Sequence, residues 1–360
     1  MKTCPSCGGP VVGHGIRAGS ALAREAGRIT RVPATVRRYR CDGCGQVHSD
    51  AGAASQAATE AVVDAVFLRG FSGAASALGC DRSTIGSVFR NWCDAEARAL
   101  PACLPDTVGI HLFDTRNSQR IVVADLVEGT VVAVFDTHME LEAWLGATPG
   151  TVTLAAIGLD PRSLAIIRAA FPRAVVVMAP SMGAAVITEA GRAALSAIAR
   201  QGAARGRNFR EDPALLDRPD AWLGDDGEEE LKAWSPAAKA VRRAVLDLTA
   251  ALAEGSGFAD VARGSSERLR AASAPPALAA MLLAWGPLME AGTAFAWLDA
   301  GYAVLLGIGE EASRLRARPE TEPLRALLLF GGGPDRDLGA TLEGVRRYAE
   351  AQAAGGYPGR

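Results

Sequence analysis

Two Cys-x-x-Cys couples constrain this chain more than any other feature. Cys4-Pro-Ser-Cys7 lies near the start, and Cys41-Asp-Gly-Cys44 follows a long arginine-rich spacer. Each couple offers two sulfurs from one tight turn, so the pair supplies the four thiolates of a tetrahedral zinc site. Gly8 and Gly9 follow the first couple and Gly45 the second, where a main chain wrapping a metal needs glycine. Cys4, Cys7, Cys41 and Cys44 are the expected ligands of a structural Zn²⁺. His48, just beyond the second couple, could compete for the ion, but four cysteines already fill its shell. The other three cysteines, Cys80, Cys93 and Cys103, are scattered and odd in number. That argues against a disulfide framework and for a reducing cytoplasm. No signal peptide is expected ahead of Cys4.

Net charge is only −2 over 360 residues, but it is unevenly placed. Residues 1–48 carry Lys2, Arg17, Arg24, Arg28, Arg31, Arg37, Arg38 and Arg40 against Glu25 and Asp42, a net +6. A basic end on an otherwise acidic protein is expected to dock a polyanion. Arg37, Arg38 and Arg40, beside the second couple, are the expected phosphate clamps.

Residues 49–100 carry helical periodicity. Ala57–Leu68 has apolar residues at helical spacing. A short small-residue helix from Gly70 then runs to a glycine turn at Gly79. Asp81 is the expected N-cap of the next helix. Ala75, Leu78, Ile85, Val88 and Trp92 would supply packing, the pattern of a helix-turn-helix. Its second helix would present Arg82, Ser83, Thr84, Ser87 and Arg90, types that bond phosphates and base edges. An ordinary helical hairpin with a polar face is the plain alternative.

From Thr107 the periodicity changes. Val108–Phe113, Arg120–Leu126 and Thr130–Phe135 are short β-type runs, the last two joined at Glu128-Gly129 as in a hairpin. A helix is expected near Met139–Leu145 and a strand at Val152–Leu159. Asp160-Pro161 then opens a helix with a cap and a first-turn proline. Ala174–Met178 is a strand and Ser181–Gln201 a long helix. The order β-β-β-α-β-α-β-α is that of an RNase H-like core, an antiparallel meander followed by parallel crossovers. Residues 203–233 are polar, with an acidic run Asp225–Glu230 expected as a solvated helix start. Trp234–Arg316 is mostly helical. Its most apolar stretch, Ala277–Gly309, is broken by Glu290 and Asp299 into pieces shorter than a membrane span needs. Gly331-Gly332-Gly333-Pro334 is a break and lacks the lysine and hydroxyl of a phosphate loop.

These parts, in this order, resemble the ISL-three family of bacterial insertion-sequence transposases. The resemblance spans most of the chain. It rests on Cys4-Pro-Ser-Cys7-Gly8, Tyr39-Arg40-Cys41-Asp42-Gly43-Cys44-Gly45, Val108-Gly109-Ile110, Ala170–Val177 and Asp212-Pro213-Ala214-Leu215-Leu216. It implies a multidomain α/β protein. Residues 1–48 would be a zinc ribbon-like module and 49–104 a helix-turn-helix DNA-binding domain. An RNase H-like (DDE-type) core would span 105–202, a helical insertion 203–330, and a helical C-terminal segment 331–360 could complete the core.

The departures from the family decide the expected function. The first metal-binding aspartate of the family falls at His111, followed by Leu112. The second falls at Gly158. The family's Asp-Arg-Phe-His segment falls at Met178, Ala179, Pro180 and Ser181. The glutamate matches only Glu343-Gly344-Val345-Arg346. DDE chemistry needs two Mg²⁺ ions held by hard oxygen ligands. An imidazole at 111 and a glycine at 158 do not supply them. Asp114 should point to the opposite strand face, Asp160 is explained as a helix cap, and Asp125 alone makes no two-metal centre.

The expected function is sequence-specific double-stranded DNA binding by a transposase-like protein that does not cut, a domesticated regulator or accessory factor. Mg²⁺ would matter only if the nuclease centre were active. The apolar faces around Trp285 and Trp297 are expected as core or as a homodimer interface, and a dimer would suit paired half-sites. The expected setting is a bacterial cytoplasm, at the nucleoid, without membrane insertion. Two alternatives stay open: an active DDE transposase with atypical metal ligands, and a zinc-stabilised protein–protein adaptor.

Overall fold

The computed structural model describes residues 4, 7–49, 54–97, 103–115, 118–204, 216, 233–313, 321–330 and 337–353. Among them the chain is mixed α/β, with eleven helices and two sheets. It forms two compact units, one of residues 1–100, 314–334 and 343–360, the other of 101–313 and 335–342. The residues expected as a zinc module and as a helical DNA-binding domain thus share one unit. The segment 331–360 is divided between the two.

In the first unit the cysteine spacer is not a linker. It is a long hairpin, β1 (Val11–Glu25) antiparallel to β2 (Arg28–Cys41), with the short β3 (Val47–Ser49) along the other edge of β2. The hairpin closes through Ala26-Gly27, both with positive φ (48° and 79°). That two-residue loop matches the right-handed twist of its strands. The register shifts between Gly13 and Ile16, where Gly15 takes φ 96°, and such a bulge bends and twists the ribbon. At the turn end Leu22 and Ile29 are buried, and the Ser55 N–H donates to the Leu22 carbonyl at 2.8 Å.

Ser55 then caps α1 (Gln56–Leu78), its hydroxyl accepting from Ala58 N at 3.2 Å. Gly70 (φ 65°, ψ 179°) breaks α1 into two limbs, as the small-residue run from Gly70 predicts. Gly79 (φ 65°) ends it in the left-handed region that glycine tolerates. The Arg28 side chain occupies the space where a Gly79 side chain would begin, which joins the hairpin's turn end to the turn between helices. α2 (Arg82–Ala97) follows, with Asp81 accepting from Thr84 N at 2.7 Å as the expected cap. Phe89 is fully buried among Phe67, Phe71 and Trp92. Phe330, from the helix Thr321–Phe330, stacks edge-on against Trp92 at 5.4 Å. The C-terminal part of the chain therefore completes the core of the N-terminal unit.

α1 is, among the described residues, the single helix long and apolar enough to cross a membrane by composition. Its broken geometry and its buried face, Val62, Val66, Phe71 and Ala74 included, are those of a core helix.

The second unit is built on a five-stranded sheet of order β6-β5-β4-β7-β8. β4 (Thr107–Thr115), β5 (Ser118–Asp125) and β6 (Thr130–Phe135) form an antiparallel meander. β7 (Leu154–Ile157) runs parallel to β4, and β8 (Val175–Val177) parallel to β7. The crossovers carry α3 (His138–Ala147), α4 (Pro161–Ala170) and then α5 (Pro180–Ala204). Asp160 caps α4 ahead of its first-turn proline, accepting from Arg162 N. It also accepts from Ser163 and from His138 Nε2, which ties α3 to α4. All the strands and helices expected between 107 and 204 are present, with ends shifted by a few residues.

α6 (Pro236–Glu254), α7 (Phe258–Ala271), α8 (Ala277–Thr293) and α9 (Asp299–Ser313) follow. α8 and α9 are bent 95° apart rather than forming one rod. α5 packs on α6 and α8, and α9 packs on β4. Gly292 lies so close to the Met178 carbonyl that a side chain there would collide with it. Trp285 is half-buried, but Trp297 is 55 % exposed, so the core expectation fails at Trp297. The helix α10 (Thr321–Phe330) and all but the first turn of α11 (Leu338–Ala353) belong to the first unit. Asp337 bridges to Thr130 at the sheet edge. The expected features at Asp212–Leu215, Asp225–Glu230 and Gly331–Pro334 lie outside the described residues.

Candidate metal centre and nucleic-acid surface

The two cysteine couples meet where β2 ends. The first closes through Gly8 N–H to the Cys4 carbonyl (2.8 Å) and the second through Gly45 N–H to the Cys41 carbonyl (3.0 Å). Gly8 and Gly45 have φ 71° and 70°, so an L side chain at either place would strain the turn. Cys4 N–H to Gly9 O closes the first loop on itself, and Asp42 N–H to Pro10 O ties the second loop to the end of the first.

All four sulfurs lie within 4.8 Å of one another. Cys4 and Cys44 are 3.6 Å apart, and Cys7 and Cys41 3.4 Å. A tetrahedron of sulfurs about 2.3 Å from a central ion has edges of about 3.8 Å, so the donor set fits a single thiophilic ion. The cluster's electrostatics agree. The Cys44 N–H, bonded to the Cys41 sulfur at 3.4 Å, leads in pulling Cys41 down to about 6. Cys7 receives the Gly9 N–H, yet its neighbouring sulfurs, Cys41 first, push it up to about 12. The four sulfurs cannot all ionise side by side unless a cation balances them. These four residues could hold a metal ion.

His48 stands outside that shell. Its Nε2 is 3.2 Å from the Cys4 sulfur, the separation of a hydrogen bond to a thiolate rather than a place among the four ligands. Sequence spacing marks His48 as a competitor, and the geometry makes it a partner of Cys4.

The arginines beside this centre are surface groups. Arg37 and Arg40 are exposed and Arg38 half-buried on β2. On α2, Arg82, Ser83, Ser87 and Arg90 are exposed and Thr84 half-buried, while Ile85, Val88 and Phe89 face the core. Ser83 and Thr84 both donate their hydroxyls to Asp81. Those bonds, Ser83 first, hold the Asp81 carboxyl well below the usual carboxylate range. Ser83 and Thr84 thus also serve the cap. Arg82, Ser83, Gly86 and Arg90 line one concavity with Phe71, of about 450 Å³. Gly86 matters to it, because the Arg90 guanidinium lies 3.3 Å from where a Gly86 side chain would begin.

In the second unit, His111 and Gly158 are neighbours. Gly158 N–H donates to the Ile110 carbonyl at 3.2 Å, and a side chain at Gly158 would start 3.4 Å from His111 Nδ1. The setting is closed. α9 covers this sheet face, with Gly309 against His111 and Phe113, and Tyr302 donating to the Ile110 carbonyl at 2.9 Å. His111 is buried, its Nδ1 has no hydrogen-bond partner, and desolvation lowers its pKa to about 4. The pair offers no carboxylate to a metal.

The neighbouring acids do not replace them. Asp114 is exposed on the other face. Asp125 accepts from Val127 N and Glu128 N and so shapes the hairpin turn. Glu343 belongs to the first unit, is exposed, and pairs with Arg346 at 3.1 Å. Arg120 is a buried group that sequence reasoning missed. It is 1 % exposed on β5, on the same face as His111, and is held by Asp136 at 3.3 Å and the Gln119 carbonyl. Only its apolar neighbours Ile121, Val122 and Val123 could have marked it as interior.

His111 also sets a pH dependence. Its pKa falls from 6.5 unfolded to about 4 folded, so its neutral burial is fully tolerated above 6.5. As pH falls from 6.5 towards 4, the unfolded chain takes up a proton that the folded chain refuses, at a cost on the order of 3 kcal/mol. Wild type is expected to lose that much more stability than His111→Leu between neutral pH and pH near 4. Denaturant unfolding of both proteins at the two pH values checks it, and parallel losses would show that His111 is not the group responsible.

No protein-family model matches the chain, and no curated protein matches it.

Proposed function

We propose that this protein binds double-stranded DNA through its first unit, with Zn²⁺ at Cys4, Cys7, Cys41 and Cys44 as a structural ion. The observation that carries this reading is the union of three elements in one compact unit. These are a four-sulfur centre, an arginine-bearing hairpin that ends in it, and a capped helix whose outer face is Arg82, Ser83, Thr84, Ser87 and Arg90. The zinc fixes the end of the hairpin. Arg37, Arg38 and Arg40 neutralise phosphates and release their counterions. α2 carries the side-chain types that read base edges in a major groove.

The second unit's sheet is a meander followed by two parallel strands, the arrangement expected of an RNase H-like core. That order supports the reading of a transposase-like protein. With His111 and Gly158 at the metal positions and α9 packed over them, the reading is of a protein that binds without cutting. It acts as a regulator or an accessory factor, and paired DNA half-sites would call for a homodimer.

The test pairs binding with cleavage. Zinc-loaded full-length protein should bind duplex DNA and leave it intact in Mg²⁺ or Mn²⁺. Arg82→Ala should weaken discrimination between sites by about 1–3 kcal/mol if it bonds a base edge. Metal-dependent nicking of bound DNA would show an active nuclease instead. Zinc binding without any DNA affinity would favour a protein–protein adaptor.

A further inference from the structure

The hairpin is held at both ends. Cys41 closes β2 within the sulfur cluster. At the turn, Leu22 and Ile29 are buried and Arg28 lies against Gly79. Between these anchors one face stays open. Ile16 pairs with Arg37, Ala18 with Thr35 and Ser20 with Pro33, and antiparallel partners share a face. Of these only Ser20 is half-buried, and Ile16 is 67 % exposed. Arg31, exposed and two residues beyond Pro33, is on the same face. Arg31 and Arg37 therefore bracket a low floor of small side chains about 20 Å long, at about 3.3 Å per residue.

We infer that this face of the β1–β2 ribbon is a second DNA-contacting surface, one that lies along the major groove beside the helix contact. The inference rests on the DNA-binding reading above. A major groove about 12 Å wide admits a two-stranded ribbon, and here small side chains let both backbones come close to the bases. Arg31 and Arg37 reach phosphates at the two ends of the strip. The Thr35 hydroxyl and the Ile16 side chain meet base edges, where a hydroxyl can bond and an apolar group can touch a thymine methyl.

Charge selects this occupant over a protein strand. The hairpin from Val11 to Cys41 carries seven arginines and one acid, Glu25, and Glu25 accepts from Thr30 at the turn. β1 is an edge strand, but its bulge at Gly13–Ile16 and its charged Arg17 and Arg24 oppose pairing with another chain. Ile16 alone gives too little apolar surface for a protein interface.

The experiment compares two arginines on opposite faces. Arg17 pairs with Val36 and so faces away from the strip. Zinc-loaded full-length wild type, Arg31→Gln, Thr35→Glu and Arg17→Gln are titrated onto a duplex of about 30 base pairs between about 50 and 200 mM salt. Retained zinc in each variant confirms an intact first unit. Arg31→Gln should lower the salt slope by about 0.9, the loss of one phosphate contact. Thr35→Glu should weaken binding at least about tenfold, since a carboxylate would face the groove wall. Arg17→Gln should leave the slope unchanged. If the Arg17 and Arg31 variants lose slope equally, the effect is bulk charge and the face assignment is overturned. If no variant changes while wild type binds, the ribbon is not a contact and the helix reading survives alone. If wild type binds no DNA, both readings fall.

Discussion

Replacing Cys41 by serine is expected to strip the metal from the first unit and with it the ability to bind DNA. Cys41 is the best placed of the four to show this. It is fully buried, it ends β2, and its sulfur already accepts the Cys44 N–H. A serine hydroxyl ionises far too weakly to replace a thiolate. The three remaining sulfurs would leave a fourth coordination position open, and the two knuckles would lose the ion that joins them. Metal binding and folding are one equilibrium in such modules. Zinc content should fall from about one equivalent per chain to a small fraction. Hydrogen exchange should rise along β1, β2 and β3, while β4–β8 in the second unit keep their protection. If Cys41→Ser retained both its zinc and its DNA affinity, the four-sulfur centre would not be the one that organises this unit. If metal were lost but DNA binding kept, zinc would be incidental to recognition.

The second large effect is expected at Phe89. Its ring packs edge-on against Phe67 and Phe71, at centroid distances of 5.8 and 5.4 Å, and tilted against Trp92 at 5.7 Å. Trp92 in turn meets Phe330. One residue of α2 therefore joins both limbs of α1 and, through Trp92, the C-terminal α10. Phe89→Ala should cost about 3–5 kcal/mol through lost burial, lost ring contacts and the cavity left behind. Whole domains are stable by only about 5–15 kcal/mol, so α2 should lose its fixed position. The proposed DNA affinity should fall with it, although Phe89 is fully buried. Phe89→Leu, which keeps most of the volume, should fall between the two. Exchange measurements on α1, α2 and α10 check this. Unchanged protection in α10 after Phe89→Ala would show that the two ends of the chain do not share this core.

Much of this was legible because local chemistry and tertiary structure agree. Asp160-Pro161 and Asp81 mark helix starts by capping alone, and both caps form. β5, β6 and β7 carry continuous apolar runs, Ile121–Ala124, Val131–Phe135 and Leu154–Ile157, because that part of the sheet is buried on both faces. The cysteine couples were legible for the same reason, since their chemistry is local to two turns.

The hairpin between the couples was not. β1 is rich in Gly and Ala, so it lacks the β-branched alternation that marks a strand. Its turn is Ala26-Gly27, where the usual Asn-Gly signal is missing and Ala26 is forced to φ 48°. Pro33 interrupts β2, a residue that sheets admit only where its missing donor is not needed. The ribbon is held instead by its two ends, at the sulfurs and at Leu22 and Ile29. Nor could sequence show that α9 covers His111, or that Phe330 returns to Trp92. Those depend on contacts between residues far apart in the chain, which no local pattern encodes. The residues at 111 and 158 were legible as lacking carboxylates, but the closed setting around them was not.

The most direct measurement of the central claim is equilibrium binding of the zinc-loaded full chain to duplex DNA across a salt series, with and without a zinc chelator. The account predicts binding that weakens steeply from about 50 to about 200 mM salt, is abolished by the chelator, and leaves the DNA uncut in Mg²⁺. Absence of binding at the lowest salt, or binding indifferent to zinc, would contradict it.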